Sequence, residues 1–283
     1  MTVILKGSDV AKAICKGVAD TIASLNGYIP HLSIVRIGDN PADIAYENGA
    51  RKRLITLGIE VSSSVFDADI TQDDFIHSFS TINKDQNVDA ILLLRPFPQQ
   101  LDESSIQAVM NPGKDIDCFT PINIAKVFLG DNSGYAPCTA EAVIRMLKYV
   151  KVPLSGKRVA IVGRSMVVGK PAAMMLLHEN ATVTICHTKS LDLSTICRES
   201  DIIVAAAGKA NLISADHVSY GSIVIDVGIN FDSDGKLCGD VVFNTVYEKT
   251  SIITPVPGGV GSVTTSILAE HVVRAAMQNN LYR

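Results

Sequence analysis

The residues best placed to do chemistry gather in a few stretches rich in glycine, charge or hydroxyl groups. One follows the short β-rich run Arg158–Val162 and reads Gly163-Arg164-Ser165, then Gly169-Lys170-Pro171. The run leaves no room for a helix, the glycine turns the chain, and proline fits the first turn of a helix. A second β run over 181–186 follows and ends in His187-Thr188-Lys189-Ser190. Strand, turn, helix, strand is the first half of a dinucleotide-binding unit. The helix N-terminus there offers N–H groups and a positive dipole end to a pyrophosphate. The spacing is Gly163-x-Ser165-x-x-x-Gly169, not the usual G-x-G-x-x-G, so ordinary α/β punctuation stays open as a reading of this stretch taken alone. Sites for NAD carry an acid near the end of the second strand to hold the ribose 2′-hydroxyl. Here that strand end has hydroxyls and cations, and Arg164 follows the first glycine, which favours NADP. For His187 and Lys189 singly, a solvated strand end is an equal alternative.

Three more features bear on a site. The loop 255–261 holds Pro255, Pro257, Gly258, Gly259, Val260 and Gly261. Its prolines stiffen the approach, and its glycines let backbone come close to a flat ligand, though a purely structural tight turn remains an alternative. Lys114-Asp115-Ile116-Asp117 puts a lysine and two acids on a short loop, in isolation most often a solvated turn. Tyr46 sits in mid-helix one turn before Ala50, a spacing more often found in a core than in catalysis. No nucleophile elbow and no metal-ligand spacing is present.

The elements that must position these residues follow from periodicity. Val10, Ile14, Val18 and Ile22 recur every fourth residue and predict a helix capped by Ser8. A strand is expected at His31–Ile37, then a helix with Asn40 at its N-cap and Pro41 at N1, stopped by Gly58. A strand over 59–66, a helix capped by Thr71 and an apolar strand over 88–94 come next, with helices over 104–110, 122–129 and 140–149. Past the nucleotide motif, strands are expected over 201–207, 222–227 and 252–254, and a final helix from Thr264. Alternating strands and helices predict parallel α/β units with right-handed crossovers, and ligands in such folds sit at the carboxyl ends of the strands.

Composition bounds the rest. At 283 residues the chain has room for two domains, and 47% hydrophobic residues supply a sizeable core. A net charge of −4 with no basic run argues against nucleic acid and anionic membrane as partners. Six cysteines without paired spacing read as buried free thiols of a reducing compartment. With no signal-like N-terminus and no membrane-length apolar run, a cytoplasmic protein is expected.

Taken in order, the motifs resemble the family of methylenetetrahydrofolate dehydrogenase/methenyltetrahydrofolate cyclohydrolase. The resemblance runs through Gly38-Asp39-Asn40-Pro41-Ala42 before Tyr46, Val88-Asp89-Ala90-Ile91 before Pro96-Phe97-Pro98, Lys114-Asp115-Ile116-Asp117 and Pro137-Cys138-Thr139. It continues through Gly163-Arg164-Ser165, Val168-Gly169-Lys170-Pro171, Cys186-His187-Thr188, Ile225-Asp226-Val227-Gly228-Ile229-Asn230, Gly239-Asp240-Val241 and the loop 255–261. It implies two parallel α/β domains facing across a cleft: a folate-binding catalytic domain over 1–138 and a Rossmann-type NADP-binding domain over 139–263. The C-terminal helix, 264–283, would pack back on the first. It also implies a homodimer made through the nucleotide domain. By the same resemblance, Tyr46 and Asp117 are the catalytic and pterin-binding residues, and Pro257, Gly258, Gly259, Val260 and Gly261 close over the folate. Gly163, Arg164, Ser165, Gly169, Thr188 and Ile229 would hold NADP.

Two departures stand out. The family's Tyr-x-x-x-Lys is Tyr46-Glu47-Asn48-Gly49-Ala50 here, and the glutamine that touches that lysine is Leu94. Arg51 and Lys52 lie roughly 100° and 200° round the helix from position 50, so neither substitutes directly. The expectation is an NADP-dependent methylenetetrahydrofolate dehydrogenase whose cyclohydrolase half is in question. A non-catalytic folate or nucleotide binder, and another two-domain NADP oxidoreductase of the shikimate-dehydrogenase kind, are the rival readings.

Overall fold

The computed structural model describes residues 2–280, so positions 281–283 of the expected C-terminal helix lie outside the described residues. In chain order the elements are β1 (Val3–Ile4), α1 (Gly7–Ala23), β2 (His31–Ile37), α2 (Pro41–Thr56), β3 (Glu60–Phe66), α3 (Gln72–Lys84), β4 (Ala90–Leu93), α4 (Glu103–Val109), α5 (Pro121–Leu129) and α6 (Cys138–Tyr149). Then come β5 (Arg158–Val162), α7 (Gly169–His178), β6 (Thr182–Cys186), α8 (Leu193–Arg198), β7 (Ile202–Ala205), β8 (Ile223–Asp226), β9 (Asn230–Phe231), β10 (Leu237–Cys238), α9 (Phe243–Tyr247), β11 (Ile252–Ile253) and α10 (Gly261–Asn280).

The chain divides into two compact units. One comprises the residues up to Lys12 with Pro137–Thr264, the other Ala13–Ala136 with the residues from Thr265 onward. The first dozen residues therefore group with the nucleotide unit, where the sequence alone suggested the folate unit. The reason is a long-range pairing: β1 runs parallel to β11, with Val3 beside Ile252 and Ile4 beside Ile253.

The nucleotide unit is built on a six-stranded sheet in the order β1-β11-β8-β7-β5-β6, and every pairing is parallel. A short antiparallel hairpin, β9–β10, is separate from it. Its core is a run of small and branched side chains, among them Ala160, Val162, Ile203, Ala205, Val224 and Ile253. Strands buried on both faces read as unbroken apolar runs, which is the pattern of β7.

The other unit carries a three-stranded parallel sheet, β3-β2-β4. Phe75 and Phe79 stack at 5.8 Å over one face of it, with Val35, Ile91 and Phe119 in the same core. The helix signals work as written: the Asn40 side chain accepts from the Ala42 amide with Pro41 at N1, and Thr71 caps α3 through the Asp74 amide. The part of α10 from Thr265 onward belongs to this unit. His271 bonds the Ile116 carbonyl at 2.8 Å, Arg274 lies 4.1 Å over the Tyr135 ring, and Tyr135 donates to Gln278 at 3.0 Å.

Four cysteines are buried free thiols, but Cys15 and Cys238 are only half-buried. Cys238 lies on a two-residue hairpin strand rather than in a core element. No helix among the described residues is long and apolar enough to cross a membrane.

Candidate active site

In the nucleotide unit, β5 ends at Val162 and the chain turns at Gly163, whose φ is 137°. A Cβ there would collide with the Ala206 carbonyl oxygen, and one at Gly169 would collide with the Gly163 carbonyl. Both glycines therefore serve close backbone packing at the strand end, where only glycine fits. Ser165 has an additional job. Its hydroxyl accepts from the Val168 amide at 3.1 Å and the Gly169 amide at 3.4 Å, and its carbonyl accepts from the Lys170 amide at 3.0 Å. It caps α7 and leaves only its own hydroxyl proton to give outward. Arg164 and Thr188 are both exposed at neighbouring strand ends, since β5 and β6 are paired in register from Arg158–Thr182 to Val162–Cys186. The turn bearing Thr188 is fixed by the Ser190 hydroxyl on the His187 amide and by His187 Nδ1 on the Lys189 amide. One ring nitrogen of His187 is thus spent on the turn. A glycine-tight strand end, a capped helix of ten residues, an exposed arginine and an exposed hydroxyl fit a dinucleotide with a 2′-phosphate.

The ends of β8 and β11 line a pocket of about 190 Å³ formed by residues 226–229, Leu237 and 255–262. Ile229 stands 66% exposed at this pocket, while Val260 is buried. Pro257, Gly258 and Gly261 are exposed and Gly259 is buried. The loop is anchored from behind: the Gly7 amide at the start of α1 bonds the Gly258 carbonyl at 2.8 Å.

Two buried carboxylates hold this region in shape. Asp226 accepts from the amides of Gly228, Asp240 and Val241 at 2.9–3.1 Å. Asp240 accepts from the amides of Ala207, Gly208 and Lys209 and from the Asn230 side chain, all within 3.0 Å. They tie together the loops after β7 and β8 and the second hairpin strand. Burial pushes the Asp226 carboxyl up to about 6, against its amide hydrogen bonds, with the Asp240 charge adding to the rise. Sequence reasoning placed both acids in motifs but saw no role for them; an Asp at a strand end followed closely by glycine was the available signal.

In the other unit, Lys114-Asp115-Ile116-Asp117 is not the solvated turn that composition suggested. A parallel bridge sets Asp115 beside Ile91 of β4. Lys114 is buried and donates to the Asp85 carbonyl at 2.5 Å. Asp115 is 1% exposed and accepts from the Phe119 and Thr120 amides, the Thr120 hydroxyl and Asn123 at 2.7–2.8 Å. Asp115 is thus fully engaged, and Asp117, half-buried two residues on, is the acid of the pair with exposed surface. Tyr46 is half-buried on α2. One turn on, Ala50 is 0% exposed, and Leu94 at the end of β4 is 8% exposed, its amide donating to the Val35 carbonyl at 2.9 Å. Two of the nearby cations are engaged elsewhere. Arg51 donates to the Val61 carbonyl at 2.8 Å and to Ser63. Arg95 lies 5.2 Å over the Phe119 ring and 3.5 Å from Glu103. Lys52 is exposed.

A Rossmann-type unit joined in one chain to a second parallel α/β unit of similar length, with an acid loop bridged to its strand β4, is the build of a two-domain dinucleotide-dependent dehydrogenase. Comparison with known proteins narrows the class. The model for the tetrahydrofolate dehydrogenase/cyclohydrolase catalytic domain matches residues 5–117, and that for the NAD(P)-binding domain of the same family matches 137–280. The bifunctional protein FolD of Clostridium kluyveri is 49% identical over 282 residues, 99% of each chain. The crystal structure of the bifunctional FolD enzyme of Campylobacter jejuni superposes with a TM-score of 0.95 at 38% identity, covering 98% of this chain and 99% of that one. The Trypanosoma brucei FolD, complexed with NADP cofactor and inhibitor, gives 0.92 at 33% identity, covering 98% of each chain. The chain belongs to the tetrahydrofolate dehydrogenase/cyclohydrolase family.

Proposed function

We propose that this protein oxidises 5,10-methylenetetrahydrofolate to the 5,10-methenyl form with NADP, and that it does not catalyse the following hydrolysis. The observation that carries the second half is the pair Ala50 and Leu94, both buried, where the family's lysine and glutamine would stand.

The two reactions ask different things of the protein. In the oxidation the hydride leaves a carbon held between two nitrogens, which share the resulting charge. NADP, when bound, supplies the hydride acceptor. The protein's part is to hold the two carbons together and keep water out. Tyr46 and Asp117 fit the pterin: an aromatic face for the ring and a carboxylate for its N–H groups. Arg164, Thr188 and the Ser165 hydroxyl proton fit the phosphates and ribose of the cofactor. Hydrolysis instead needs water to attack and protons to move, which calls for a positioned acid–base group. None stands at position 50, and Arg95, already paired, holds its proton too tightly to shuttle it.

The same reading makes the protein a cytoplasmic homodimer joined through its nucleotide unit. β6 supports this: it is the last strand of the six-stranded sheet, and an unpaired strand edge is usually covered.

The test is a steady-state reaction with NADP and methylenetetrahydrofolate. NADPH and the methenyl product should form in equal amounts, the methenyl species then decaying only at its spontaneous rate. A failure to reduce NADP would return the non-catalytic reading.

A further inference from the structure

Helix α2 is seated in an unusual way. Its buried face consists of Glu47, Ala50 and Leu54: one carboxylate, one methyl and one large apolar side chain. A surface helix ordinarily lays three or four apolar residues per two turns against the core, and here the first two turns lack them. In their place is an ion cluster. Glu47, 7% exposed, accepts from Arg36 Nε at 2.9 Å and from the Ser63 hydroxyl, and lies 3.8 Å from Arg51. Arg36 also donates to the Gly38 carbonyl, and Arg51 to Ser63 and the Val61 carbonyl. One carboxylate thus joins the end of β2, the turn at Gly38, the first half of α2 and the middle of β3. Burial alone would raise the Glu47 carboxyl, but Ser63, Arg36 and Arg51 outweigh it and hold the group below its ordinary range. The charge is retained in the fold.

Tyr46 is the residue immediately before Glu47; among the fully buried residues of α2 no large apolar side chain precedes Leu54, and Ile44 is only half-buried. We infer that the Arg36–Glu47–Ser63 cluster is a positioning device that sets the Tyr46 ring for the folate, Glu47 acting through Tyr46 and touching no substrate itself. This rests on the reading of Tyr46 as a pterin contact. It gives the dehydrogenase a fixed tyrosine without the lysine and glutamine that the pocket lacks.

A double-mutant cycle tests it, with Tyr46→Ala, Glu47→Gln and the two combined, in the full-length protein. Each single substitution should lower kcat/KM for methylenetetrahydrofolate roughly tenfold, the scale of coupling between residues in one network. The combination should fall no further than Tyr46→Ala, and KM for NADP should stay within about twofold throughout. Arg36→Met with Glu47→Leu removes the two most buried charges together and leaves Arg51, which is partly exposed, on the Val61 carbonyl and Ser63, so the fold is kept; it should show the same non-additivity with Tyr46→Ala. Losses that multiply in both cycles would overturn the positioning role and leave the cluster a stability element. A Tyr46→Ala protein with normal folate kinetics would overturn it as well, and would do so by removing the reading of Tyr46 on which it stands.

Discussion

At the scale of single residues, the site works by charge and by the absence of charge. Arg164 is exposed just past the end of β5, beside the β6 end where an acid would mark an NAD site. A hydrogen bond to a charged group contributes about 1.5–3 kcal/mol. Arg164→Ala should thus weaken NADP about ten- to a hundredfold and leave NAD nearly unchanged; equal losses for both cofactors would defeat the assignment. Asp117 offers a parallel case. Its neighbour Asp115 is consumed by four internal donors, so Asp115→Ala should cost folding stability. Asp117→Ala should instead raise the folate KM or abolish turnover with NADP affinity intact. Unchanged folate kinetics would return Asp117 to the status of a turn residue. Residue type alone does not tell these two acids apart, because both lie on one four-residue loop; the family resemblance singled out Asp117, and the bridge to β4 gives the physical reason that Asp115 is the engaged one. Ser165 shows the same limit: its type and place suited a phosphate, and its hydroxyl acceptor sites cap a helix.

At the scale of elements, local chemistry was readable wherever it was local. His31–Ile37 and Arg158–Val162 carry apolar β-rich runs, and Asn40-Pro41 carries its own cap, so these elements stand where composition placed them. The elements that escaped are short or held from afar. β1 is two residues long and exists because β11 lies beside it. Helix α8 begins after Asp192, whose φ of 48° no residue pattern announced. The hairpin β9–β10 is set by Asp226 and Asp240 as much as by its own residues. That carboxylate pair gives an element-scale prediction. Asp226 keeps its proton up to about pH 6 in the fold, while in the unfolded chain it loses it near 3.8. Between those values the folded state binds more protons, so the stability contributed by this group falls as pH rises, by about 3 kcal/mol over the window, and is flat above it. Denaturant unfolding from pH 4 to 7.5 should show this descending component, and Asp226→Asn, neutral throughout, should lose it. A variant with the wild-type profile would place the titration elsewhere.

At the scale of the whole molecule, one stretch of the chain matches the family's catalytic domain and the other its NAD(P)-binding domain, and on the proposed reading the oxidation is kept and the hydrolysis is not. Light scattering should find two chains per particle at assay concentrations; a single-chain mass would remove the proposed dimer. The motif order along the chain carried the family, but the fate of the second reaction depended on whether some other cation fills the gap at position 50. In the packing, Arg51 and Arg95 are engaged and Lys52 is exposed, which supports the proposed reading. The most direct measurement follows the loss of methenyltetrahydrofolate absorbance with wild type, Lys52→Ala, Ala50→Lys, and Ala50→Lys combined with Leu94→Gln. A general acid–base group contributes roughly 10²–10⁴-fold, so the wild type should hydrolyse at the spontaneous rate, with partial recovery in the combined variant. Wild-type hydrolysis well above background, and lost in Lys52→Ala, would contradict the account and make the chain bifunctional by another route.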